Sequence, residues 1–361
     1  MPSTFKTPGV YIQEISKFPP SVAQVETAIP AFIGYTEKAR LKADGDLIEK
    51  PRRITSLLEY ETFFGGPAVE TNLIVTIDEQ RDSQGRTSNI EINASFGDNA
   101  PSKYKMYYSM QHYFANGGGP CYIVSVGGYT DGVIKKPELE KGLDAVEKVD
   151  EVTLLVFPEG QGILDVAEYY ALQEQSIAQC VKLQDRFAVM DVWLANDIAV
   201  DDIQEFRDRL GGNTNQLKYA AAYYPNLESI FDYHYGDDAN VTIVHNLNGG
   251  DGNGEYSGTL ADLESANNQV YARAQSALTG FELELPPSPA MVGIYANVDS
   301  TRGVWKAPAN EAVRAVTKPT VKISDEQQES INVDVTAGKS INVIRSFTGK
   351  GVLVWGARTL A

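Results

Sequence analysis

The chain has 361 residues, enough for two or three domains with a sizeable buried core. Apolar residues make up 43% of the sequence and charged residues 22%, which excludes a disordered or collagen-like chain. The formal net charge of −17 gives a surface that repels phosphate backbones, so nucleic acid is not an expected partner.

Membrane, disulfide and thiolate-metal classes are disfavoured as well. No apolar run approaches the ~20 residues that a membrane helix needs, so we expect no direct membrane insertion. The two cysteines, Cys121 and Cys180, do not have the CxxC spacing of a zinc or redox site. Charge is unevenly distributed: residues 131–210 sum to −10 and residues 291–361 to +3. This asymmetry predicts two faces with different neighbours.

The N-terminal segment combines a strand pattern with a stiff joint. Residues 7–15 (TPGVYIQEI) follow the pattern of a short strand after a Pro-Gly turn. Pro19 and Pro20 then restrict the backbone. Because a lone strand is not stable in water, this arm either pairs within its own chain or adds to the sheet of another chain.

The next hundred residues alternate between strand and helix patterns. We predict a strand at 27–36, a helix at 55–66, a β-hairpin at 72–96, an aromatic helix at 104–115 and a strand at 121–126.

The middle of the chain has the pattern of an α/β segment. Runs at 152–157, 187–193 and 218–224 are apolar on both faces, as strands of a covered parallel sheet are, and helical patterns separate them. Residues 229–289 are rich in Gly, Asn, Asp and Pro, which predicts a surface insertion or flexible excursion. The ordered fold resumes at 290–298, and 341–360 holds two strands joined by a TGKG turn. The predicted fold class is therefore mixed α/β.

Motifs for catalysis, cofactors or metals are missing from the sequence. Gly338-Lys339-Ser340 ends like a phosphate-binding loop, but Val333 stands where the loop-opening glycine belongs. A calcium-loop-like start at Asp251 lacks the bidentate glutamate, since residue 262 is Asp. We therefore expect no cofactor, no metal and no enzymatic activity, and the residues favour a structural or interaction protein.

Several collinear segments resemble a known family. They are TPGVYIQEI, AIPAFIGYTEKA, FFGG, YFANGGGPCYIVSVG, YYPNL, SPAMVGIYANVDSTRGVWKAPANEAV and INVIRSFTGKGVLVWGARTL. Together they are similar to the sheath protein of contractile phage tails and related contractile injection systems. The last two segments are the most specific, and they contain Arg302, Gly303, Trp305, Lys306, Pro308, Asn310, Arg345, Trp355, Gly356 and Arg358. Proteins of this kind continue past the WGARTL segment into a C-terminal arm. This sequence ends at Ala361, so we expect a chain that lacks the usual C-terminal continuation.

The resemblance implies a function and a set of partners. Subunits would stack as hexameric rings into a helical sleeve around an inner tube, together with baseplate and terminator proteins. The sleeve would contract and drive the tube through a target envelope, with no nucleotide hydrolysed. Its subunits are made in the cytoplasm and belong to a phage tail or tail-like particle. Alternatives are another tail subunit (tube or baseplate) and, less favoured, a nucleotide-binding α/β enzyme.

The resemblance also implies a domain division. Residues 1–20 would form an arm that adds a strand to a neighbouring subunit, through Pro8, Gly9, Val10, Tyr11, Ile12 and Ile15. Residues 21–40 and 290–361 would form a discontinuous inner domain, whose Lys318 and Lys322 could face an acidic tube. Residues 41–130 would connect it to an acidic outer α/β domain at 131–289, which includes the flexible insertion 229–289.

Overall fold

The structure, a computed structural model, describes residues 27–97, 101–194, 199–332 and 338–361. The strands in these ranges are β1 (Pro30–Gly34), β2 (Arg52–Ile54), β3 (Leu73–Arg81), β4 (Thr87–Phe96), β5 (Cys121–Ser125), β6 (Leu154–Val156), β7 (Phe187–Asp191), β8 (Ala220–Tyr224), β9 (Leu227–Ser229), β10 (Thr242–Leu247), β11 (Gly258–Thr259), β12 (Leu283–Leu285), β13 (Glu311–Ala312), β14 (Val316–Pro319), β15 (Ile341–Phe347) and β16 (Gly351–Val354). The α-helices are α1 (Leu57–Phe64), α2 (Met106–Ala115), α3 (Lys136–Val146), α4 (Val166–Leu183), α5 (Ala199–Arg209), α6 (Thr214–Leu217), α7 (Leu260–Ala266), α8 (Asn268–Thr279), α9 (Ser288–Arg302) and α10 (Asp325–Asn332).

A nine-stranded sheet forms the centre of the molecule, in the order β13-β16-β15-β8-β7-β6-β1-β5-β2. The six strands from β15 to β5 are parallel, and the flanking strands are antiparallel. Every residue of β1 is buried, with Ala31 and Ile33 in one core and Phe32 in the other. A strand that is apolar on both faces needs helices on both sides, which explains its central position.

Helices cover both faces of this sheet. One core receives side chains from α3, α4 and α5, and the opposite core receives them from α1, α2 and α9. Helices α2 and α9 approach closely at Gly293, where a Cβ atom would lie 2.6 Å from the carbonyl oxygen of Tyr113. The mixed α/β architecture predicted from the sequence is confirmed.

A second unit is built on a four-stranded sheet in the order β11-β10-β3-β4. Its hairpin pairs β3 with β4, and β10 joins β3 in parallel, with Ile243 opposite Val75. Side chains from α7 and α8 complete a third core with Leu73, Val75 and Ile77. A small sheet, β12-β9-β14, completes the fold.

Local sequence signals predicted most individual elements correctly. Helix α1 begins after Ser56, whose side chain accepts a hydrogen bond from the Glu59 N–H, and ends at Gly65. The 72–96 hairpin, the aromatic helix α2 and the final β15–β16 hairpin are confirmed. The parallel pairing of β6, β7 and β8 is confirmed as well.

The central sheet combines strands from several of the segments distinguished in the sequence. Strands β6, β7 and β8 lie between β1 and β15 in one sheet. These three strands are apolar on both faces, which suits the centre of a sheet that is covered by helices on both sides. Residues 41–130 are more than a connection, since β2 and β5 extend the same sheet.

The segment predicted to be a flexible insertion, 229–289, carries regular structure. It supplies β10, β11, β12, α7 and α8, and β10 is fixed by its parallel pairing with β3. Residues 290–298 are part of helix α9, which the sequence had suggested only as an apolar segment.

Candidate assembly surface

The most exposed large apolar side chain in the described structure follows the end of helix α9. The helix ends at Gly303, which has φ +89° and donates its N–H to the carbonyl of Asp299. This left-handed conformation favours glycine, and any Cβ here would collide with the indole ring of Trp305. The chain then turns, with the Lys306 N–H donating to the Gly303 carbonyl at 3.0 Å. The turn holds Trp305 at 85% exposure and Val304 at 58%.

A groove of about 300 Å³ lies beside this turn. Its floor is formed where β6, β7 and β8 begin, by Leu154, Phe187 and Ala221. Helix α9, the turn and the C-terminal segment supply the walls, with Tyr295, Asp299, Val304, Lys306, Ala307, Pro308, Ala357, Arg358 and Thr359. Tyr295 is fixed to the sheet by a 2.6 Å hydrogen bond between its hydroxyl and that of Tyr223.

Hydrogen bonds hold the C-terminal segment against this groove. The side chain of Asn342 accepts from the Arg358 N–H and donates to the Arg358 carbonyl, both at 2.8 Å. The Asn310 N–H donates to the carbonyl of Val354, and Arg302 forms an ion pair with Glu311. These contacts connect the 302–311 region with the end of the chain.

The structure therefore brings several of the residues named by the resemblance to one surface. Lys306, Pro308 and Arg358 line the groove, and the exposed Trp305 stands beside it. Gly356 and Asn310 support this surface through their backbones. Gly356 packs closely against Asn342, and the Asn310 N–H donates to the carbonyl of Val354. Arg345 lies elsewhere: its guanidinium donates to Asp325 and Gln328 of α10. Trp355 packs its ring on Phe347, with centroids 4.6 Å apart.

The two lysines suggested to face a tube differ in their surroundings. The Lys318 ammonium lies 2.9 Å from a Glu228 oxygen and 3.3 Å from a Glu282 oxygen, so its charge is neutralised within the chain. Lys322 is exposed, and no ion pair is found for it within the described residues.

The arm residues Pro8, Gly9, Val10, Tyr11, Ile12 and Ile15 lie outside the described residues. The description begins at Thr27, whose hydroxyl donates to the carboxylate of Asp299 at 2.8 Å. Asp299 lines the groove, so the chain enters the described structure at the groove wall.

A buried carboxylate lies in the crevice where an α/β enzyme would bind its ligand. In doubly wound sheets this crevice lies beyond the carboxyl ends of the strands where the strand order reverses, here β1 and β6. Glu159 occupies it, and its carboxylate accepts hydrogen bonds from the N–H groups of Tyr35 at 2.7 Å and Met106 at 3.1 Å. Burial raises the pKa of Glu159 to about 8, and the hydrogen bonds from these backbone N–H groups partly oppose that rise. The carboxylate anchors the N-terminus of α2 in the place of a ligand.

A second buried carboxylate anchors α9 in the same way. Asp191, at the end of β7, accepts from the Ser288 N–H at 2.7 Å and from the Ser288 hydroxyl at 2.6 Å. Burial raises its pKa to about 7, and the bonds from Ser288 oppose that rise. Asp191 thereby fixes the first turn of α9, and the turn that carries Trp305 follows the other end of the same helix. Neither anchor was predicted from the sequence, although each is an acidic residue at or just after the end of an apolar strand.

The described ranges show neither a metal-site cluster nor a membrane-spanning helix. They contain no cluster of three His, Cys, Asp or Glu side chains with the arrangement of a metal site. Within these same ranges, no helix combines the length and the apolar character needed to cross a bilayer.

Comparison with known proteins decides the fold family. No family model matches the sequence, and no curated protein matches it. The helical sheath of the anti-feeding prophage (AFP) in the contracted state matches 99% of this chain and 69% of its own, with 25% identity and a TM-score of 0.53. The fold of this chain is similar to that of contractile tail sheath proteins.

Other solved structures agree with this assignment. The contracted sheath complex of an extracellular contractile injection system, PVC, is 25% identical with a TM-score of 0.53, over 99% of this chain and 68% of that one. A chain of the sixfold-symmetrised AFP baseplate is 25% identical with a TM-score of 0.50, over 99% and 69% of the two chains. The family resemblance is confirmed, and a tail-related structural role follows for this sheath-like chain.

Proposed function

We propose that the sheath-like chain is the sheath subunit of a contractile tail or tail-like particle. Its subunits stack as hexameric rings into a helical sleeve around an inner tube, and the sleeve contracts to drive the tube through a target envelope. The observation that carries this proposal is the match to contracted sheath structures over 99% of the chain. The proposed role is structural and requires no catalysis, and the carboxylate that fills the switch-point crevice supports it.

The exposed groove supports the assembly of this chain with further copies of itself. An indole that is 85% exposed beside an apolar groove is typical of an interaction site, because tryptophan is enriched among the residues that dominate binding energies. Contact between two different surfaces of neighbouring copies generates a ring or a helix, the symmetry that a sleeve needs. In the sleeve, the Trp305 groove then contacts a neighbouring subunit, and residues 8–15 add a strand to a neighbour's sheet.

The inner tube, the baseplate and the terminator are the further proposed partners. Lys322 is the better candidate for a tube contact, since Lys318 already pairs with two carboxylates. Exposed charges interact weakly and over ~8 Å at physiological salt, which suits a surface that must slide after release. We propose synthesis in the cytoplasm and assembly into the tail or tail-like particle.

Electron microscopy of the chain expressed with the tube protein of the same particle tests the proposal. A sheath subunit gives striated sleeves in negative stain, whereas a tube subunit gives thin tubes. Dispersed particles under all conditions would contradict the assignment. Trp305→Ala should abolish or shorten the sleeves and keep the circular dichroism spectrum. Leu164→Ala, at a side chain that is 71% exposed at the opposite end of β6, is the matched control and should leave them intact.

A baseplate subunit is the second candidate, because one matching structure is an AFP baseplate chain. Such a subunit would be found at one end of the particle only. Gold labelling of a tagged chain along the whole sleeve supports the sheath, and labelling confined to one end supports the baseplate.

A further inference from the structure

A cavity of about 290 Å³ opens in the second unit, beside the end of helix α8. The segment 231–235, which follows β9, forms one side of the cavity, and α8 forms another. Leu73 of β3 and Leu278 of α8 are buried and make an apolar floor. Among the described residues, none that lines the groove beside Trp305 also lines this cavity, so the two sites are separate.

Aromatic side chains provide the walls of the cavity. Tyr233, Tyr235 and Phe281 line it. The rings of Tyr233 and Phe281 have centroids 5.6 Å apart, and Phe96 of β4 packs on these two rings at 5.0 Å and 5.2 Å. Tyr233 is buried, whereas Tyr235 and Phe281 keep part of their surface in contact with water. Because the rings of Tyr233 and Phe281 are held by their neighbours, the cavity is largely preformed, as small-molecule sites usually are.

Hydrogen bonds fix the backbone segment that borders the cavity. The His234 N–H donates to the Tyr108 hydroxyl at 2.9 Å, and the Asn240 side chain donates to the Tyr235 carbonyl at 2.7 Å. Asp232 lies in this segment, so the position of its backbone beside the aromatic rings is set before any ligand arrives.

The lining presents an unpaired carboxylate and few free donors. Asp232 is exposed, and within the described part of the chain no N–H or O–H group donates to its carboxylate. The polar side chains that α8 contributes to the cavity donate within the helix. The Gln275 amide donates to the Tyr271 hydroxyl, and the Thr279 hydroxyl donates to the Gln275 carbonyl, both at 2.7 Å. A ligand therefore meets an acceptor with a negative charge.

The electrostatic field in the cavity is negative. Burial raises the pKa of the Tyr235 hydroxyl, and the carboxylates of Asp238 and Asp232 raise it further. The described residues that line the cavity include no Lys, Arg or His side chain that would offset these charges. An anion is therefore repelled, and a neutral polyol finds few donors. A cation is attracted by the carboxylate and by the aromatic rings, whose π faces carry negative charge.

One ring of this aromatic cluster already contacts a cation from its own chain. The Lys105 ammonium lies 5.2 Å from the centroid of the Tyr233 ring. Lys105 does not itself line the cavity, so Tyr235 and Phe281 remain for a ligand. A quaternary ammonium group suits them better than a primary ammonium group, because a compact primary ammonium is strongly hydrated and methyl groups fit apolar walls.

We propose that this cavity binds the quaternary ammonium group of a small molecule, with the Asp232 carboxylate facing the charge and with Tyr235 and Phe281 contacting the methyl groups. The Kd is on the order of 1 mM, since an exposed ion pair and an exposed cation–π contact each strengthen binding only a few-fold. This binding activity goes beyond the proposed function and belongs to the single subunit.

A ligand-observed NMR titration of the full chain with choline tests the site. The comparison ligands are the neutral isostere of choline, in which carbon replaces the nitrogen, and ethanolamine, which carries a primary ammonium. We expect saturation transfer to the choline methyl protons and about tenfold weaker binding of the neutral isostere. The proposal is overturned by a lack of saturable choline binding up to about 10 mM, or by equal affinity for the neutral isostere. Ethanolamine bound as tightly as choline would overturn the assignment to quaternary ammonium.

Substitutions with matched controls assign the residues. Asp232→Asn should weaken choline binding about threefold, whereas Asp201→Asn makes the same change in net charge at an exposed site on α5 and should leave binding unchanged. Tyr235→Leu should weaken binding about threefold, whereas Tyr235→Phe keeps the ring and should stay within about twofold of the parent chain. Circular dichroism checks that each variant is folded.

Equal effects of Asp232→Asn and Asp201→Asn would show that choline responds to net charge alone and would overturn the proposal. Neither the titration nor the variants depend on sleeves. Sleeves without choline binding would therefore refute this site alone, and choline binding without sleeves would refute the proposed function alone.

Discussion

Replacing Asp191 by asparagine isolates the electrostatic part of the α9 anchor. The carboxylate is buried and is bonded to both the N–H and the hydroxyl of Ser288. Asparagine has nearly the same shape, accepts from the Ser288 N–H, and donates its amide hydrogen to the hydroxyl, which can act as donor or acceptor. Alanine leaves both groups of Ser288 without a partner, at a cost of about 2–4 kcal/mol of unfolding free energy.

The raised pKa makes this anchor depend on pH. A carboxyl whose pKa is higher in the folded chain than in the unfolded chain favours folding at low pH, and this contribution is lost as pH rises between the two values. For Asp191 the values are 3.8 for an exposed aspartate and about 7 in the folded chain, which corresponds to roughly 4 kcal/mol at 1.36 kcal/mol per pH unit. Asp191→Asn should therefore exceed the stability of the parent chain by about 2 kcal/mol at pH 5 and by roughly 4 kcal/mol at pH 8, a change of about 2.5 kcal/mol between the two pH values.

Urea unfolding at pH 5 and pH 8, followed by circular dichroism, measures this difference. Asp201→Asn, which removes an exposed carboxylate from α5 with the same change in net charge, is the matched control. The parent chain should lose stability over this range, and part of the loss should persist in Asp191→Asn because Glu159 titrates over pH 4.5 to 8. An Asp191→Asn variant that is less stable than the parent at pH 8 would refute the reasoning that burial penalises this charge.

Three further predictions concern the assembly surface. Gly303→Ala should lower the unfolding free energy by about 1–2 kcal/mol through left-handed strain and shift the tryptophan emission, because the new Cβ displaces the exposed indole of Trp305. Gly349→Ala, which has a similar φ in open space, should lower the stability without that emission shift, and an equal shift in both variants would contradict the contact with Trp305. Lys322→Glu should weaken sheath–tube co-sedimentation more at low salt than at high salt, without changing the urea midpoint. Lys318→Glu should instead lower the urea midpoint through its lost intrachain pairs, and the reverse pattern would exclude this assignment. Deletion of residues 1–18 should leave a folded monomer that forms no sleeves by electron microscopy, and an unfolded product would place the arm in the subunit's own core.

Elements defined by local patterns could be predicted from the sequence. The alternation in 72–96 specifies a hairpin because the side-chain period of a strand is two. The Ser56 cap and the glycine after Phe64 mark the ends of α1. The aromatic helix and the C-terminal hairpin follow from equally local signals.

Features that depend on pairing between distant segments could not be predicted from the sequence. Residues 246–258 are rich in glycine and polar residues, and this composition concealed that the preceding strand β10 pairs with β3. The apolar runs at 152–157, 187–193 and 218–224 predict a parallel sheet, but no local signal states that β1 and β15 complete it. The order of the strands in the central sheet therefore required the structure.

The assembly surface was only partly predictable. The family-like segments named the residues of the Trp305 turn, but the groove arises because Asn342 holds the chain end beside α9. The anchors Glu159 and Asp191 carried a usable signal, namely a carboxylate at the carboxyl end of a buried strand, where helix N-termini converge. Their partners Met106 and Ser288 lie 53 and 97 residues away and cannot be identified from spacing.

The most direct test of the central claim is a cryo-electron microscopy reconstruction of the chain assembled on its tube. We expect stacked hexameric rings in which the groove beside Trp305 contacts a neighbouring subunit and residues 8–15 pair with a strand of another copy. A reconstruction with the chain only at one end of the tube, or a sleeve in which Trp305 faces solvent in every subunit, would contradict it.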